Sequence, residues 1–378
     1  MNGRRLAYVI LGLVAVLSIV YGVAEATLRL SITQPGNPFP YMWAPEHRQK
    51  VAIKEAVPGL QPQQTTFSAN ALGIRGDELN IDGDEDVTKI MVLGGSVTEC
   101  LLVDDRDAWP SVAQTRLVDA TGKDIWVGNV GRSGQNTLDY VAHAQILVPR
   151  IKADIVIAMP GGNDLQAAVE ERLLPLDLLD QNLLQRFAAK LYQPGAARIF
   201  DAMEPSYALF LLKQRYHAPT TDFSDFYRGM KSARYNSPKL DEIPDLQDHL
   251  ETYRANLEQL VEATSRLDGT KLVLMTHPFL WKDEMPDEEV RTLWAGYSCM
   301  SCPDRVYYSR QALRAALEAI NAITLDVCEE SGLQCFDLES KVEKNLDNFY
   351  DDAHLTTSGS RRVGELVAHF LLDHGVIQ

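Results

Sequence analysis

The chain has 378 residues, of which 46% are hydrophobic and 23% charged, a composition typical of globular proteins with a sizeable core. Its 52 acidic and 36 basic residues give a formal net charge of −16. Because nucleic acids are polyanions, this balance excludes a nucleic-acid partner and is more compatible with a neutral or sugar-like substrate.

The N-terminal segment has the pattern of a membrane anchor. Arg4 and Arg5 precede an uncharged stretch from Leu6 to Ala24, which is about the length that spans a bilayer as a helix. Basic residues ahead of such a stretch favour keeping that end in the cytoplasm. We therefore predict that residues 1–30 form an N-terminal membrane anchor or signal segment. The rest of the chain would then be extracytoplasmic, either periplasmic or extracellular.

Two alternatives remain for this segment. It could be a buried core helix, although such helices seldom lie at an extreme N-terminus behind two arginines. It could also be a cleaved signal peptide, since Ala24 and Ala26 form an A-x-A pattern that a signal peptidase accepts. The apolar run is longer than that of a usual signal peptide, which favours an uncleaved anchor.

The next segment, residues 31–66, is rich in Pro, Gln and Gly and predicts an extended linker. A regular alternation of strands and helices follows. Strands are predicted at 88–95, 124–130, 270–279 and 333–339, and a strand followed by a turn at 153–164. Helices are predicted at 107–122, 136–151, 248–267, 309–332 and from about Thr357. Such alternation predicts βαβ units and a parallel sheet covered by helices on both faces.

The alternation fails at about 165–247, where we predict a helical insertion. The insertion either packs irregularly on the domain or forms a lid or cap that shapes the substrate site, because loops at the carboxyl ends of parallel strands are where α/β folds place their sites. One α/β domain at 67–378 with this insertion explains the length better than two domains.

The five cysteines fit an exported protein. Cys299, Cys302, Cys328 and Cys335 fall in two closely spaced pairs, and Cys100 stands apart. In an oxidising compartment we expect disulfide bonds among the four, for which three connectivities can be drawn, and a free Cys100. A four-thiolate zinc site and a redox role for the "CMSC" motif are the weaker alternatives.

Candidate site residues follow the predicted strands. They lie at the edge of the sheet where the carboxyl ends of parallel strands meet. Ser96 follows the first strand, Gly134 the second and Asn163 the third, while Asp351 and His354 stand just before the last helix. A serine hydroxyl becomes a nucleophile when a histidine accepts its proton, and a carboxylate can fix the histidine tautomer. Backbone N–H groups in glycine turns and an amide side chain can stabilise an oxyanion.

The carboxylate has a competitor in Asp352, which is also close to His354 in sequence. Asp351 lies three residues before the histidine, and this spacing is more favourable for folding the carboxylate back onto the ring. Each polar residue also has an ordinary interpretation, as a turn residue or a surface histidine, when it is considered alone.

As an ordered set, the blocks "GGSVTE", "NVGRSG", "GGND" and "DDAH" resemble the SGNH/GDSL hydrolases. The preceding "FSANALGIRGDE" is similar to a lead-in of exported, membrane-anchored members. The resemblance covers residues 67–164 and 271–372. It implies a three-layer α/β/α sandwich with a five-stranded, parallel, flavodoxin-like sheet. One departure is Gly95, where the family has aspartate, and a second is the long insertion.

The resemblance also implies roles. Ser96 is the expected nucleophile, His354 the base and Asp351 its orienting carboxylate, while Gly134, Asn163 and the N–H of Ser96 form the expected oxyanion hole. The expected activity is a serine esterase acting on carboxylic esters, with acetyl esters suggested by location and family, through an acyl-enzyme intermediate.

A polysaccharide O-acyltransferase with the same triad and a non-catalytic glycan-binding module are the alternatives. We expect no cofactor and no metal. The expected partners are an ester-bearing small molecule or glycan and, through the N-terminal helix, the membrane.

Overall fold

The computed structural model describes residues 3–32, 42–171, 220–300, 302 and 305–377. Its strands, in chain order, are β1 Arg48–Ile53, β2 Gln63–Ser68, β3 Thr88–Gly94, β4 Ile125–Asn129, β5 Ile155–Met159, β6 Thr220–Asp222, β7 Lys239–Leu240, β8 Lys271–Met275, β9 Tyr307–Tyr308 and β10 Gln334–Phe336. Its helices are α1 Gly3–Ile32, α2 Ser96–Glu99, α3 Trp109–Thr121, α4 Thr137–Ile151, α5 Gly162–Val169, α6 Ser224–Asn236, α7 Leu246–Ser265, α8 Asp287–Val290, α9 Arg310–Glu330 and α10 Thr357–Asp373.

Five parallel strands form the central sheet, in the order β10-β8-β5-β3-β4. Numbered along the chain, this is the flavodoxin-like order, in which the strand order reverses between β3 and β5. The middle strands are almost continuously apolar and buried, as expected for strands covered on both faces. The predicted α/β fold with a parallel, flavodoxin-like sheet is therefore confirmed.

Helices cover both faces of this sheet. Alternate residues of β3 point to opposite sides: Ile90 and Val92 join a core with α3 and α10, whereas Met91 and Leu93 join a core with α4 and α7. α9 packs beside α7 and against β8 and β10. The strand and turn predicted at 153–164 are observed: β5 ends at Met159, and the chain turns through Gly161, whose φ of +112° favours glycine, into α5.

Of the extended linker predicted at 31–66, the structure describes residues 31, 32 and 42–66, and the part from 42 onward contains strands. β1 and β2 form an antiparallel pair, and β6 joins β1 in parallel. Val51, Ile53 and Phe67 are buried in a small core that also contains Tyr227 and Tyr350. The Pro- and Gln-rich composition hid these few apolar residues, which become buried only because distant parts of the chain cover them.

Within the predicted insertion, residues 172–219 lie outside the described residues. The remainder contributes β6, α6 and β7. In the part of the chain that the structure describes, no helix combines the length and the apolar character needed to cross a membrane.

Four of the five cysteines form disulfide bonds, Cys299 with Cys302 and Cys328 with Cys335. Of the three connectivities left open by the sequence, the structure therefore selects the one that joins near neighbours. A four-thiolate zinc site at these residues is wrong, since the sulfurs are bonded in pairs. Cys100 is a buried free thiol, as expected.

Candidate active site

Ser96 lies at the carboxyl end of β3, where it is the first residue of the short helix α2. The chain leaves the strand sharply through Gly94, where a Cβ atom would lie 1.9 Å from Oγ1 of Thr98. Only a residue without a side chain fits this turn. The turn therefore presents the Ser96 side chain at the edge where the parallel strands end.

The side chain of Ser96 ends a chain of hydrogen bonds that the sequence predicted as a triad. Its Oγ lies 2.7 Å from Nε2 of His354. Nδ1 of the same ring lies 2.9 Å from Oδ2 and 3.0 Å from Oδ1 of Asp351. Because a carboxylate only accepts, Nδ1 carries the proton and Nε2 presents its lone pair to the serine hydroxyl.

Asp351 is fully buried and both of its oxygens are fixed. Oδ1 accepts from the main-chain N–H groups of Ala353 at 3.1 Å and His354 at 2.8 Å. Oδ2 accepts from Nε1 of Trp294 at 2.7 Å. Burial opposes ionisation, but the His354 ring and these hydrogen bonds outweigh it and lower the pKa of Asp351. Burial likewise opposes the imidazolium, but the Asp351 carboxylate outweighs it and raises the pKa of His354.

Asp352, the competing carboxylate, has a different set of partners. It accepts from Nε1 of Trp281 at 2.9 Å and from the main-chain N–H groups of Trp294 at 2.7 Å and Ala295 at 2.9 Å. Asp352 thus holds the loop that carries Trp294, whereas Asp351 contacts the histidine ring.

Two aromatic rings stack against His354. The ring centroids lie 6.1 Å apart for Trp294 and 5.6 Å apart for Tyr350. Both ring pairs are nearly parallel, at 10° and 11°. The imidazole is therefore fixed by packing as well as by hydrogen bonds, an arrangement that preorganises it.

A buried lysine supports the same loop from α6. Nζ of Lys231 donates to the main-chain oxygens of Pro58 at 2.7 Å and Tyr350 at 3.0 Å. Burial lowers the pKa of Lys231 to about 8, although the carboxylates of Asp351 and Asp352 favour its charged form. The sequence reasoning missed both Lys231 and Trp294. The only signal for Lys231 was the aromatic and basic composition of the run that contains α6, and Trp294 lies outside that run.

The residues expected to form an oxyanion hole surround the same turn. Nδ2 of Asn163 donates to the carbonyl of Gln135 at 2.7 Å, and a Cβ atom on Gly95 would lie 2.4 Å from that nitrogen. Gly95 therefore leaves the space that Asn163 occupies. Gly134 has a φ of +85°, in the loop between β4 and α4. In the described part of the chain, no acceptor is seen for the main-chain N–H of Ser96 or of Gly134.

The loop around Gly134 is held by a buried carboxylate. Oε2 of Glu99 accepts from the main-chain N–H of Ser133 at 3.0 Å and from its hydroxyl. Burial raises the pKa of Glu99, although the hydrogen bonds from Ser133 oppose this. Neither contact is visible in the sequence, where Glu99 is one of many acidic residues.

A cleft of about 110 Å³ opens beside Ser96 and His354. Its lining combines polar groups with apolar and aromatic side chains, among them Asn163, His277, Trp281, Trp294, Leu313 and Leu317. A smaller cavity of about 40 Å³ lies beside the same serine and histidine, against Cys100, Val103 and Tyr350. Among the described residues, no group of three or more His, Cys, Asp or Glu side chains is arranged to hold a metal ion.

Comparisons with known proteins identify one family model and several solved structures that are similar to the chain. The model of the GDSL-like lipase/acylhydrolase family matches residues 92–362, which is most of the chain. An α/β hydrolase enzyme from the metagenome of Lake Arreo, Spain, is 15% identical over 74% of this chain and 94% of its own, with a TM-score of 0.41. An acetylxylan esterase from Geobacillus stearothermophilus is 16% identical over 76% of this chain and 94% of its own, with a TM-score of 0.40. No curated protein matches the chain significantly.

Proposed function

The chain belongs to the GDSL-like lipase/acylhydrolase family of ester hydrolases, and from this premise we propose that it is a serine esterase acting on carboxylic esters with a short acyl group. The observation that carries the proposal is the continuous chain of hydrogen bonds from Ser96 Oγ through the His354 ring to Asp351, with separations of 2.7 and 2.9 Å. These distances are those of a nucleophile, its base and the group that orients the base.

In the proposed reaction, Ser96 Oγ attacks the ester carbonyl while Nε2 of His354 takes the hydroxyl proton. The carbonyl oxygen becomes an oxyanion, which accepts hydrogen bonds from the N–H groups of Ser96 and Gly134 and from Nδ2 of Asn163. The imidazolium then gives its proton to the leaving alkoxide, which leaves an acyl group on Ser96. Water, deprotonated by the same nitrogen, attacks the acyl group and releases the acid and the free serine.

The smaller cavity beside Ser96 and His354 supports a short acyl group such as acetyl, with the cleft left for the alcohol part of the ester. The volume of this cavity, about 40 Å³, is small beside the roughly 300–1,000 Å³ of pockets that enclose drug-sized ligands. A long acyl chain would need more room than this cavity provides.

The test is hydrolysis of 4-nitrophenyl esters of increasing chain length by the full chain and by Ser96→Ala, with labelling of the serine by a fluorophosphonate probe. We expect hydrolysis and labelling in the wild type and the loss of both in the variant. Ser111→Ala, a change in α3 outside the cleft, is the matched control. Undiminished activity of Ser96→Ala would contradict the proposal, and acyl transfer to an added sugar with little hydrolysis would favour the O-acyltransferase.

We also propose that the catalytic domain works outside the cytoplasm, tethered by the N-terminal segment. The arginine pair before the apolar run supports this proposal. So do the exposed apolar side chains of α1, such as Leu17 and Val20 at 59% and 60% exposure. The two disulfide bonds also support it, because disulfides persist in oxidising compartments. Protease added to intact spheroplasts should degrade the domain. Protection equal to that of a cytoplasmic marker would contradict this localisation.

A further inference from the structure

A second histidine lies in the cleft and has no part in the proposed hydrogen-bond chain. His277 follows β8, at the same sheet edge as Ser96, and both residues line the cleft. Its main chain is held from both sides by one carboxamide: its N–H donates to Oδ1 of Asn321 at 2.8 Å, and Nδ2 of Asn321 donates to its carbonyl at 3.0 Å. With 6% of its surface exposed, the residue is built into the floor of the cleft.

One hydrogen bond fixes the tautomer of the His277 ring. Nδ1 lies 3.1 Å from the carbonyl oxygen of Pro278. Because a carbonyl oxygen only accepts, Nδ1 must carry the proton. Burial lowers the pKa of His277 to about 4, although the Pro278 carbonyl favours the charged form. The ring is therefore neutral at neutral pH, and Nε2 holds an unshared pair of electrons.

The position of Nε2 explains one glycine of the "GGND" block. A Cβ atom on Gly162 would lie 2.5 Å from Nε2 of His277, so any side chain at position 162 would displace the ring. Gly162 also lines the cleft. Nε2 has no hydrogen-bond partner among the described residues. An acceptor with no donor among the described residues thus lies beside Gly162, in the cleft that Asn163 and Ser96 also line.

We propose that Nε2 of His277 accepts a hydrogen bond from a hydroxyl group on the alcohol part of the substrate, so that the enzyme prefers esters of sugars or other polyols to esters of alcohols without further hydroxyls. This inference rests on the proposed esterase function. Both the cleft and the smaller cavity border His354, which must protonate the leaving oxygen, and the alcohol part is assigned to the cleft because it is the larger of the two. A buried acceptor left without its donor costs binding energy, and so it discriminates against substrates that lack the hydroxyl.

The experiment compares two substrates with the same acyl group, 4-nitrophenyl acetate and a monoacetylated methyl glucoside, in the full chain. His277→Phe keeps the size of the ring but removes the acceptor. We expect kcat/KM for the acetylated glucoside to fall about tenfold, the effect of one lost hydrogen bond, mainly through KM, while kcat/KM for 4-nitrophenyl acetate changes less than about twofold. His277→Gln, which retains an acceptor, should restore part of the glucoside activity, and the exposed His369→Phe should change neither substrate.

Equal losses with both substrates, or no loss with either, would overturn the inference. Thermal melting of His277→Phe separates a folding defect from a binding defect, and His277→Gln provides the test if the phenylalanine variant does not fold. If the wild type hydrolyses neither substrate, the proposed function fails. In that case, calorimetric binding of the acetylated glucoside to Ser96→Ala, with and without His277→Phe, still decides whether Nε2 recognises a hydroxyl, since equal affinities would overturn it.

Discussion

Replacing Asp351 by asparagine should abolish most of the activity for a reason that the structure specifies. An amide must place its NH₂ group where one carboxylate oxygen was. At the Oδ1 position it would face two main-chain donors, the N–H groups of Ala353 and His354, whereas at the Oδ2 position it would face one, Nε1 of Trp294. Fewer opposed donors favour the second orientation.

In that orientation the amide nitrogen takes the position 2.9 Å from Nδ1 of His354, while the amide oxygen keeps the position 3.0 Å from it. The amide N–H opposes a proton on Nδ1 and favours the tautomer with the proton on Nε2, which faces Ser96 and can then no longer take its proton. We expect kcat to fall by about 10⁴-fold, the cost of the wrong tautomer in such a triad. This is about 5 kcal/mol of transition-state stabilisation. The opposed N–H groups should also lower the free energy of unfolding by about 1–3 kcal/mol.

The assay is kcat for 4-nitrophenyl acetate, together with urea unfolding of each variant. A double-mutant cycle with Trp294→Phe separates the two effects, because removing the Trp294 donor should shrink the stability cost of Asp351→Asn without restoring activity. Asp352→Asn is the matched control, since its partners are Trp281 and the main chain near Trp294 rather than the imidazole.

Two results would refute this reasoning. One is an Asp351→Asn enzyme that keeps more than about a tenth of the wild-type kcat, because the tautomer argument requires a loss of several orders of magnitude. The other is a stability cost that is the same with and without the Trp294 indole. A loss of activity in Asp352→Asn as large as that in Asp351→Asn would return the orienting role to Asp352.

Three further predictions concern the surroundings of the same groups. Because the Asp351 carboxylate outweighs burial and raises the pKa of His354 above 6.5, the acid limb of the kcat/KM profile should lie above pH 6.5. The raised pKa of His354 also means that its protonation stabilises the folded state. This contribution to the free energy of unfolding should be complete below pH 6.5 and lost as pH rises through the raised pKa. An acid limb at or below pH 6.5 would contradict the prediction. Lys231→Met removes a positive charge that lowers the pKa of His354 and should move that limb to higher pH with a lower kcat, whereas Lys54→Met, at a side chain 67% exposed, should move neither. Gly95→Asp restores the residue usual in the family but puts a Cβ atom 2.4 Å from Nδ2 of Asn163. It should lower kcat by about 10²-fold, as the loss of one oxyanion donor does, and an unchanged kcat would show that Asn163 is not needed there.

The regular part of the fold follows from local patterns. β3, β5 and β8 are short apolar runs bounded by turn residues, and such runs indicate burial whatever lies around them. The pairing of Asp351 with His354 is local as well, because a spacing of three residues within one turn brings the carboxylate to the ring. The composition of 31–66 predicted a linker because burial in this part of the chain is not local. Val51 and the adjoining Phe67 are buried by distant partners such as Tyr227 from α6.

The sequence alone therefore determined the five strands of the central sheet, the helices that cover it, the set of candidate residues at the strand ends and the Asp351–His354 spacing. Their roles in catalysis stay predictions. Only the tertiary structure decided that Ser96 and His354, 258 residues apart, lie 2.7 Å from each other, that Trp294 and Lys231 hold the loop behind them, and that Nε2 of His277 lies at the cleft. These contacts join side chains that are far apart in sequence and are brought together by strand order and loop packing. No run of neighbouring residues therefore predicts them, because each contact depends on where the fold places the other partner.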